Sequence, residues 1–265
     1  LVALDIDGTL LLQDESLSEG ILEAIRDAEA AGHTLMIATG RSWNTVQRIM
    51  RELGLAPEYV VASNGAVILR RDESDATGYA PFKVETFEPA GVLTLLREHL
   101  PEARYMVEQP DGARLYTEDI PEWELGRAKQ VPFEVMLEVP VSRVVVVSPT
   151  HDNDDFLRLV ESIGLNQVSY AVGWTAWLDI APHGVNKGTA LEQVREWLGF
   201  APADVLVIGD GRNDLEMFAW AREAGGRAFA MGQGPQEVLD AATHITGTVH
   251  EGGAARVLRD LAANA

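Results

Sequence analysis

None of the 265 residues is cysteine. That excludes disulfides, thiolate metal sites and a cysteine nucleophile, and it suits a cytoplasmic protein. Long apolar runs are missing as well, and mean hydropathy is close to zero. No membrane span and no leader segment are therefore expected, and no membrane partner. Positive charge is scarce: 21 basic residues face 41 acidic ones, a net charge of −20. Such a surface repels a phosphate backbone, so nucleic acid is not an expected partner. Any anion site must then concentrate local positive charge. Lysine occurs only at positions 83, 129 and 187, so each lysine carries weight. Repeats and low-complexity segments are lacking, and nothing specifies an oligomeric state.

The 46% of hydrophobic residues suffices for a sizeable core. Residues 1–6, 34–39, 59–62 and 205–209 read as short buried strands. An amphipathic helix is expected over 18–31, with Ile21, Leu22, Ile25 and Ala28 at helical spacing, Ser18 as N-cap and Gly32 as stop. A second helix over 43–53 precedes Gly54. Apolar strands alternating with helices predict a parallel sheet covered on both faces, an α/β Rossmann-like core. Ligands of such sheets bind at the carboxyl ends of the strands.

The middle of the chain differs. A helix over 90–100, a hairpin around Asp111-Gly112, a β-rich run at 141–148, a helix over 153–163 and a hairpin around Gly173 make a mixed pattern. Residues 81–184 are expected to form an inserted α+β domain, with 1–80 and 185–265 building the core. The acidic stretch Asp72–Asp75 reads as a solvated turn.

Four segments carry chemistry. Residues 1–10, LVALDIDGTL, run an apolar strand into Asp5 and Asp7. Alternate residues of an extended chain point the same way, so the two carboxylates can converge on one space. That suits a carboxylate nucleophile beside a general acid, with a divalent cation between them. Read without function, it is a strand ending in an acidic turn. Thr39-Gly40-Arg41 follows the second strand: the hydroxyl and backbone N–H groups can donate to a phosphoryl oxygen, or Thr39 simply caps a helix. Lys187 opens a helix, where a cation opposes the helix dipole. It serves either a bound phosphate or nothing beyond the surface. In Gly209-Asp210-Gly211-Arg212-Asn213-Asp214 a strand again ends in a carboxylate, with a second acid four residues on. Oxygen-only ligands suit Mg²⁺, although a Gly-Asp turn is common.

Taken in this order, DIDGTL, ATGR, SNGA, NKGTAL and GDGRNDLEM resemble the haloacid dehalogenase superfamily over essentially the whole chain. The resemblance is strongest to its Cof-like sugar-phosphate phosphatase branch, subfamily IIB, which carries a large α/β cap. It implies a Mg²⁺-dependent phosphatase acting on a small phosphorylated metabolite through an aspartyl-phosphate. Asp5 would be the nucleophile, and Asp7 the acid and then the base. Thr39 and Lys187 would hold the phosphoryl oxygens, with Gly40, Arg41, Asn64 and Asn213 near phosphate or substrate. Mg²⁺ would be bound by Asp5, the backbone carbonyl of Asp7, Asp210 and, directly or from behind, Asp214. Gln233-Gly234 stand where the branch usually has Asn-Ala, a loop detail.

Asn64 reads equally as a turn residue, and Arg41 as a helix-surface residue. His183 near the inserted domain's end reads as structural. Trp174 and Trp177 lie three apart, so at most one lines a cleft. A phosphosugar mutase is the alternative on the same architecture. A phosphoryl-accepting receiver would be about half this length and lacks an acid at the position of Asp7.

Overall fold

The computed structural model describes residues 1–118, 128–165, 168–172 and 176–264. The chain opens with β1 (Val2–Leu4), α1 (Ile21–Ala30), β2 (Leu35–Ile37), α2 (Trp43–Leu53), β3 (Tyr59–Ala62), β4 (Val67–Arg71) and β5 (Tyr79–Val84). Next come α3 (Ala90–His99), β6 (Arg104–Glu108), β7 (Arg114–Tyr116), β8 (Ala128–Gln130), α4 (Phe133–Met136), β9 (Arg143–Val147), α5 (Asn153–Ile163), β10 (Val168–Val172) and β11 (Trp177–Pro182). The last part is α6 (Lys187–Leu198), β12 (Leu206–Gly209), α7 (Leu215–Glu223), β13 (Arg227–Ala230), α8 (Gln236–Ala241), β14 (His244–Ile245) and α9 (Gly253–Ala263).

The core sheet is parallel, in the order β14-β13-β12-β1-β2. Its strands alternate as a doubly covered sheet requires. Val2, Leu4, Leu206 and Ile208 pack with Ile25, Ile49 and Leu258 from α1, α2 and α9 on one face. Ala3, Val205 and Val207 pack with Leu191, Phe218 and Val238 from α6, α7 and α8 on the other. The expected α/β core with helices on both faces is thus present.

Several local expectations need correction. The first helix starts after Gly20, which takes a left-handed φ of 70°. Ser18 does not cap it: its side chain is buried, and its N–H donates to the Leu10 carbonyl. The strand over 59–62 lies beside β2 and joins the parallel sheet through a bridge between Ala38 and Val61 and a hydrogen bond from the Thr39 N–H to the Val61 carbonyl. Its main partner is β4, antiparallel, and β4 in turn pairs with β5. Position 80/81 falls inside β5, whose pairing to β4 continues to Val84. Asp72 forms an exposed turn as expected, its carboxylate accepting from the Ser74 N–H.

The inserted segment builds a six-stranded sheet, β10-β11-β9-β6-β7-β8, antiparallel except between β7 and β8. The turn at Gly112 joins β6 to β7, with φ of 77° at the glycine. One face, carrying Tyr105, Val107, Val144, Val146 and Leu178, is covered by Leu93 and Leu96 of α3 and Phe156 and Val160 of α5. The other face, bearing Glu108, Arg143 and Asp179, looks toward the core. The turn around Gly173, with Trp174, lies outside the described residues. Among the described residues no helix is long and apolar enough to cross a membrane.

Candidate active site

β1 and β12 are neighbours at the centre of the core sheet, and both end in aspartate, Asp5 and Asp210. The parallel register brings these strand ends side by side. The turn after β12 adds Asp214. All three carboxylates are buried, with one oxygen from each lying within 4.8 Å of the others. α6 begins beneath them. Asn186 caps it, accepting from the Thr189 N–H while the Thr189 hydroxyl accepts from the Asn186 N–H. Lys187 thereby projects inward rather than to solvent and is fully buried. Its Nζ donates to Asp5 Oδ1 at 2.6 Å and to Asp214 Oδ1 at 2.7 Å. The surface-lysine reading of Lys187 is therefore excluded.

Asp214 is held on both sides. Oδ1 takes Lys187, and Oδ2 accepts the backbone N–H groups of Asp210 at 2.9 Å and Gly211 at 3.0 Å. It fixes the loop that carries Asp210. Asp210 is pushed up to about 8 by burial first and then by the neighbouring carboxylates of Asp5 and Asp214. Asp5 is also pushed up, by burial more than Lys187 opposes. Lys187 is held above its ordinary value: its two carboxylates outweigh the cost of burial. Once ionised, three buried acids against one lysine leave an excess of negative charge, which is why burial and mutual repulsion push Asp5 and Asp210 up. The three carboxylate oxygens could hold a divalent cation, which would offset that charge.

The Asp7 side chain does not join this cluster. It is half exposed, and Arg41 grips it: Arg41 Nε lies 2.8 Å from Oδ2 and Nη2 lies 2.6 Å from Oδ1. Alternation along a strand predicts convergence with Asp5, but the chain leaves β1 at Leu4 and turns. Arg41 is in turn held by Glu15 at 2.9 Å, which also binds Arg48. The helix-surface reading of Arg41 is corrected by these contacts.

Thr39 is buried at the end of β2, and its hydroxyl accepts the Arg41 N–H at 3.1 Å. Asn64 takes a left-handed φ of 52°, as a turn residue does, and its side-chain Oδ1 also accepts from Asn213 Nδ2 at 3.1 Å. A Cβ on Gly40 would press on these two amides, so Gly40 sits where they meet. Asn64 and Asn213 border one space with Lys187, and Gly40, next to Thr39 in the chain, sits against their amides.

Gln233 is a contact that sequence reasoning passed over. Its Nε2 donates to the Gly8 carbonyl at 2.6 Å and lies 3.3 Å from Asp210 Oδ2, while its Oε1 accepts from the Val249 N–H. The signal was the Gln-Gly departure itself: the longer side chain reaches across the site mouth. A network on the inserted sheet also went unread. Arg143 pairs with Asp179 at 2.6 Å, Glu108 with Arg114 at 3.5 Å, and Arg114 reaches Ser42 of the core. The sign available was an arginine inside the apolar run VSRVVVVS.

The profile of haloacid dehalogenase-like hydrolases matches residues 2–258. The chain belongs to that family. It is an enzyme, of the family's phosphatase type. It is 31% identical over 273 residues to the Bacillus subtilis (strain 168) protein named "Putative phosphatase YxeH", covering 98% of this chain and 97% of that one. It is 25% identical to 5-amino-6-(5-phospho-D-ribitylamino)uracil phosphatase YitU of the same organism, over 98% of this chain and 96% of the relative. Among solved structures, the HAD subclass IIB sugar phosphatase BT4131 shares the fold with a TM-score of 0.79 and 19% identity, over 98% of this chain and 97% of the other.

Proposed function

We propose that the chain is a Mg²⁺-dependent phosphatase of a small phosphorylated metabolite, such as a sugar phosphate, working through an aspartyl-phosphate. The observation that carries this reading is the fully buried Lys187, shared by Asp5 and Asp214 at the carboxyl ends of parallel strands. Residues 1 to about 84 and 185–265 form its catalytic core, and the intervening segment caps it. The absence of cysteine fits a cytoplasmic setting, and the charge of −20 disfavours nucleic acid.

Lys187 holds Asp5 Oδ1, so Oδ2 is the oxygen that attacks phosphorus. Thr39, Asn213 and Lys187 bind the non-bridging oxygens, offsetting their charge as transfer proceeds. Asp7 protonates the departing oxygen, then deprotonates the water that cleaves the aspartyl-phosphate. Its half-exposed side chain, open to solvent on one side, suits that double role. Asp5, Asp210, the Asp7 carbonyl and Asp214 would hold Mg²⁺. When bound, Mg²⁺ supplies Lewis-acid neutralisation of the phosphoryl charge.

The test is turnover of p-nitrophenyl phosphate and a phosphate-ester panel, with Mg²⁺ and with EDTA. Wild type should turn over only with Mg²⁺, and Asp5→Asn should be inactive yet folded by circular dichroism. Activity in Asp5→Asn, or full activity in EDTA, would refute the reading. Asp7→Asn should lose on the order of 10²–10⁴-fold in kcat, the usual worth of a positioned acid–base group. An unchanged kcat would remove it from that role.

A further inference from the structure

Between the inserted sheet and the core lies a cleft that reaches Lys187 at its inner end. Asn64 and Asn213 line the core side, and Arg143, Ser169 and Asp179 the other. The cleft shares Asn64, Lys187 and Asn213 with the proposed phosphate site, so a group attached to the phosphoryl can extend along this wall, and there the wall's charge bears on what that group can be.

Arg143 is buried, and it is committed. Its Nε and Nη2 each lie 2.6 Å from Asp179 Oδ1, while Trp177 Nε1 holds the other oxygen of Asp179 at 3.0 Å. Glu108 is the cross-strand neighbour of Arg143 in the β6–β9 register and is buried beside it. Arg114, the next neighbour across β7, pairs with Glu108. Among the described residues this face of the sheet therefore sets two arginines against two carboxylates, with Arg143 and Asp179 lining the cleft and Glu108 and Arg114 behind them. Among the described residues lining the cleft the cations are Arg143 and Lys187, and both are paired with carboxylates. Glu216 adds a further carboxylate at the rim. Beyond Lys187 and Asn213, which the phosphatase reading places on the phosphoryl group, the described lining residues that remain to meet the leaving group include the neutral side chains of Asn64, Ser169 and Tyr170.

We infer that the Arg143–Asp179 pair makes this cleft a charge filter that accepts an uncharged, hydroxyl-bearing leaving group and rejects one carrying a second anion. The inference rests on the phosphatase reading and adds what that reading leaves open. A hydroxyl can accept from Arg143 and donate to Asp179 without breaking the pair. A carboxylate or second phosphate would meet Asp179 and Glu216 against an arginine already neutralised. Like-charge juxtaposition of this kind is a strong means of excluding the wrong partner.

The test is kcat/KM on matched substrates that differ by one anionic group: glycerol 3-phosphate against 3-phosphoglycerate, glucitol 6-phosphate against 6-phosphogluconate, and fructose 6-phosphate against fructose 1,6-bisphosphate. Wild type should favour the singly anionic member of each pair by about tenfold or more. Asp179→Asn releases Arg143 and should shrink that preference by about tenfold, mainly through KM. Ser169→Lys places an uncompensated cation on the same wall without touching the pair, and should shift the ratio the same way if Asp179→Asn fails to fold. A wild type that turns over p-nitrophenyl phosphate but favours the doubly anionic members overturns the filter while leaving the phosphatase standing. So does an unshifted ratio in a folded variant. A wild type that cleaves no phosphomonoester overturns both.

Discussion

Lys187→Met tests the centre of the site, because two effects oppose each other there. Burying an ammonium is costly, and a methionine of similar length removes that cost. Yet the substitution leaves Asp5, Asp210 and Asp214 buried without their cation. Exchanging a whole buried ion set for apolar groups is often neutral, but removing one partner costs about 3–5 kcal/mol. Here the second effect wins, since three carboxylates remain. For a chain of this size each kcal/mol moves Tm by about 2–4 °C, so a loss of roughly 6–20 °C is expected. The pH dependence has a definite sign. Asp5 and Asp210 lie above their ordinary values in the folded state, Asp210 at about 8. The fold therefore binds protons that the unfolded chain has released, and it loses stability as pH rises toward 8. Lys187, itself raised, stays charged throughout that range. Without it the repulsion is larger, so the deficit should be wider near about pH 8 than near about pH 5, where the carboxylates take up protons. Urea melts of metal-free wild type and variant at both pH values measure it. A deficit below about 1 kcal/mol, or one that widens at low pH, would refute the reasoning.

The same charges govern Mg²⁺: it should raise Tm, by about 2.7 kcal/mol of stabilisation at a hundredfold excess over Kd, and more at pH 8 than at pH 6, where it must displace protons from Asp210; a shift independent of pH in thermal melts counts against this. Gly8→Ala should lose metal binding and stability together, because φ is 70° there and a Cβ would overlap Asp210 Oδ2; calorimetric titration with Mg²⁺ reads it, and a wild-type isotherm would be the contrary result. Gln233→Ala removes the hold on Gly8 and Asp210, and a lost outer contact of this kind typically weakens metal binding about 10–100-fold. Unaltered Mg²⁺ affinity by the same titration would return Gln233 to a loop detail.

The sequence by itself determined the strand ends that matter. Asp5, Thr39 and Asp210 each follow a short apolar run, and a parallel sheet places such residues along one edge. Lys187 was legible because lysine is rare and this one opens a helix against the dipole. Helix α2 with Gly54 and the turn at Gly112 followed from local periodicity and turn chemistry, which depend on neighbours in the chain. Tertiary structure alone decided the rest. Asp7 parts from Asp5 because Arg41, distant in sequence, draws its carboxylate to the mouth. Asp214 joins Lys187 because α6 and the loop after β12 pack against each other. β5 runs through position 80/81 because β4 supplies its hydrogen bonds. The cancelling charges of Glu108, Arg114, Arg143 and Asp179 come from four strands, and only their register across the sheet makes them neighbours. Local pattern specifies which residues end a strand, whereas pairings between distant segments depend on register and packing that no short stretch of sequence contains.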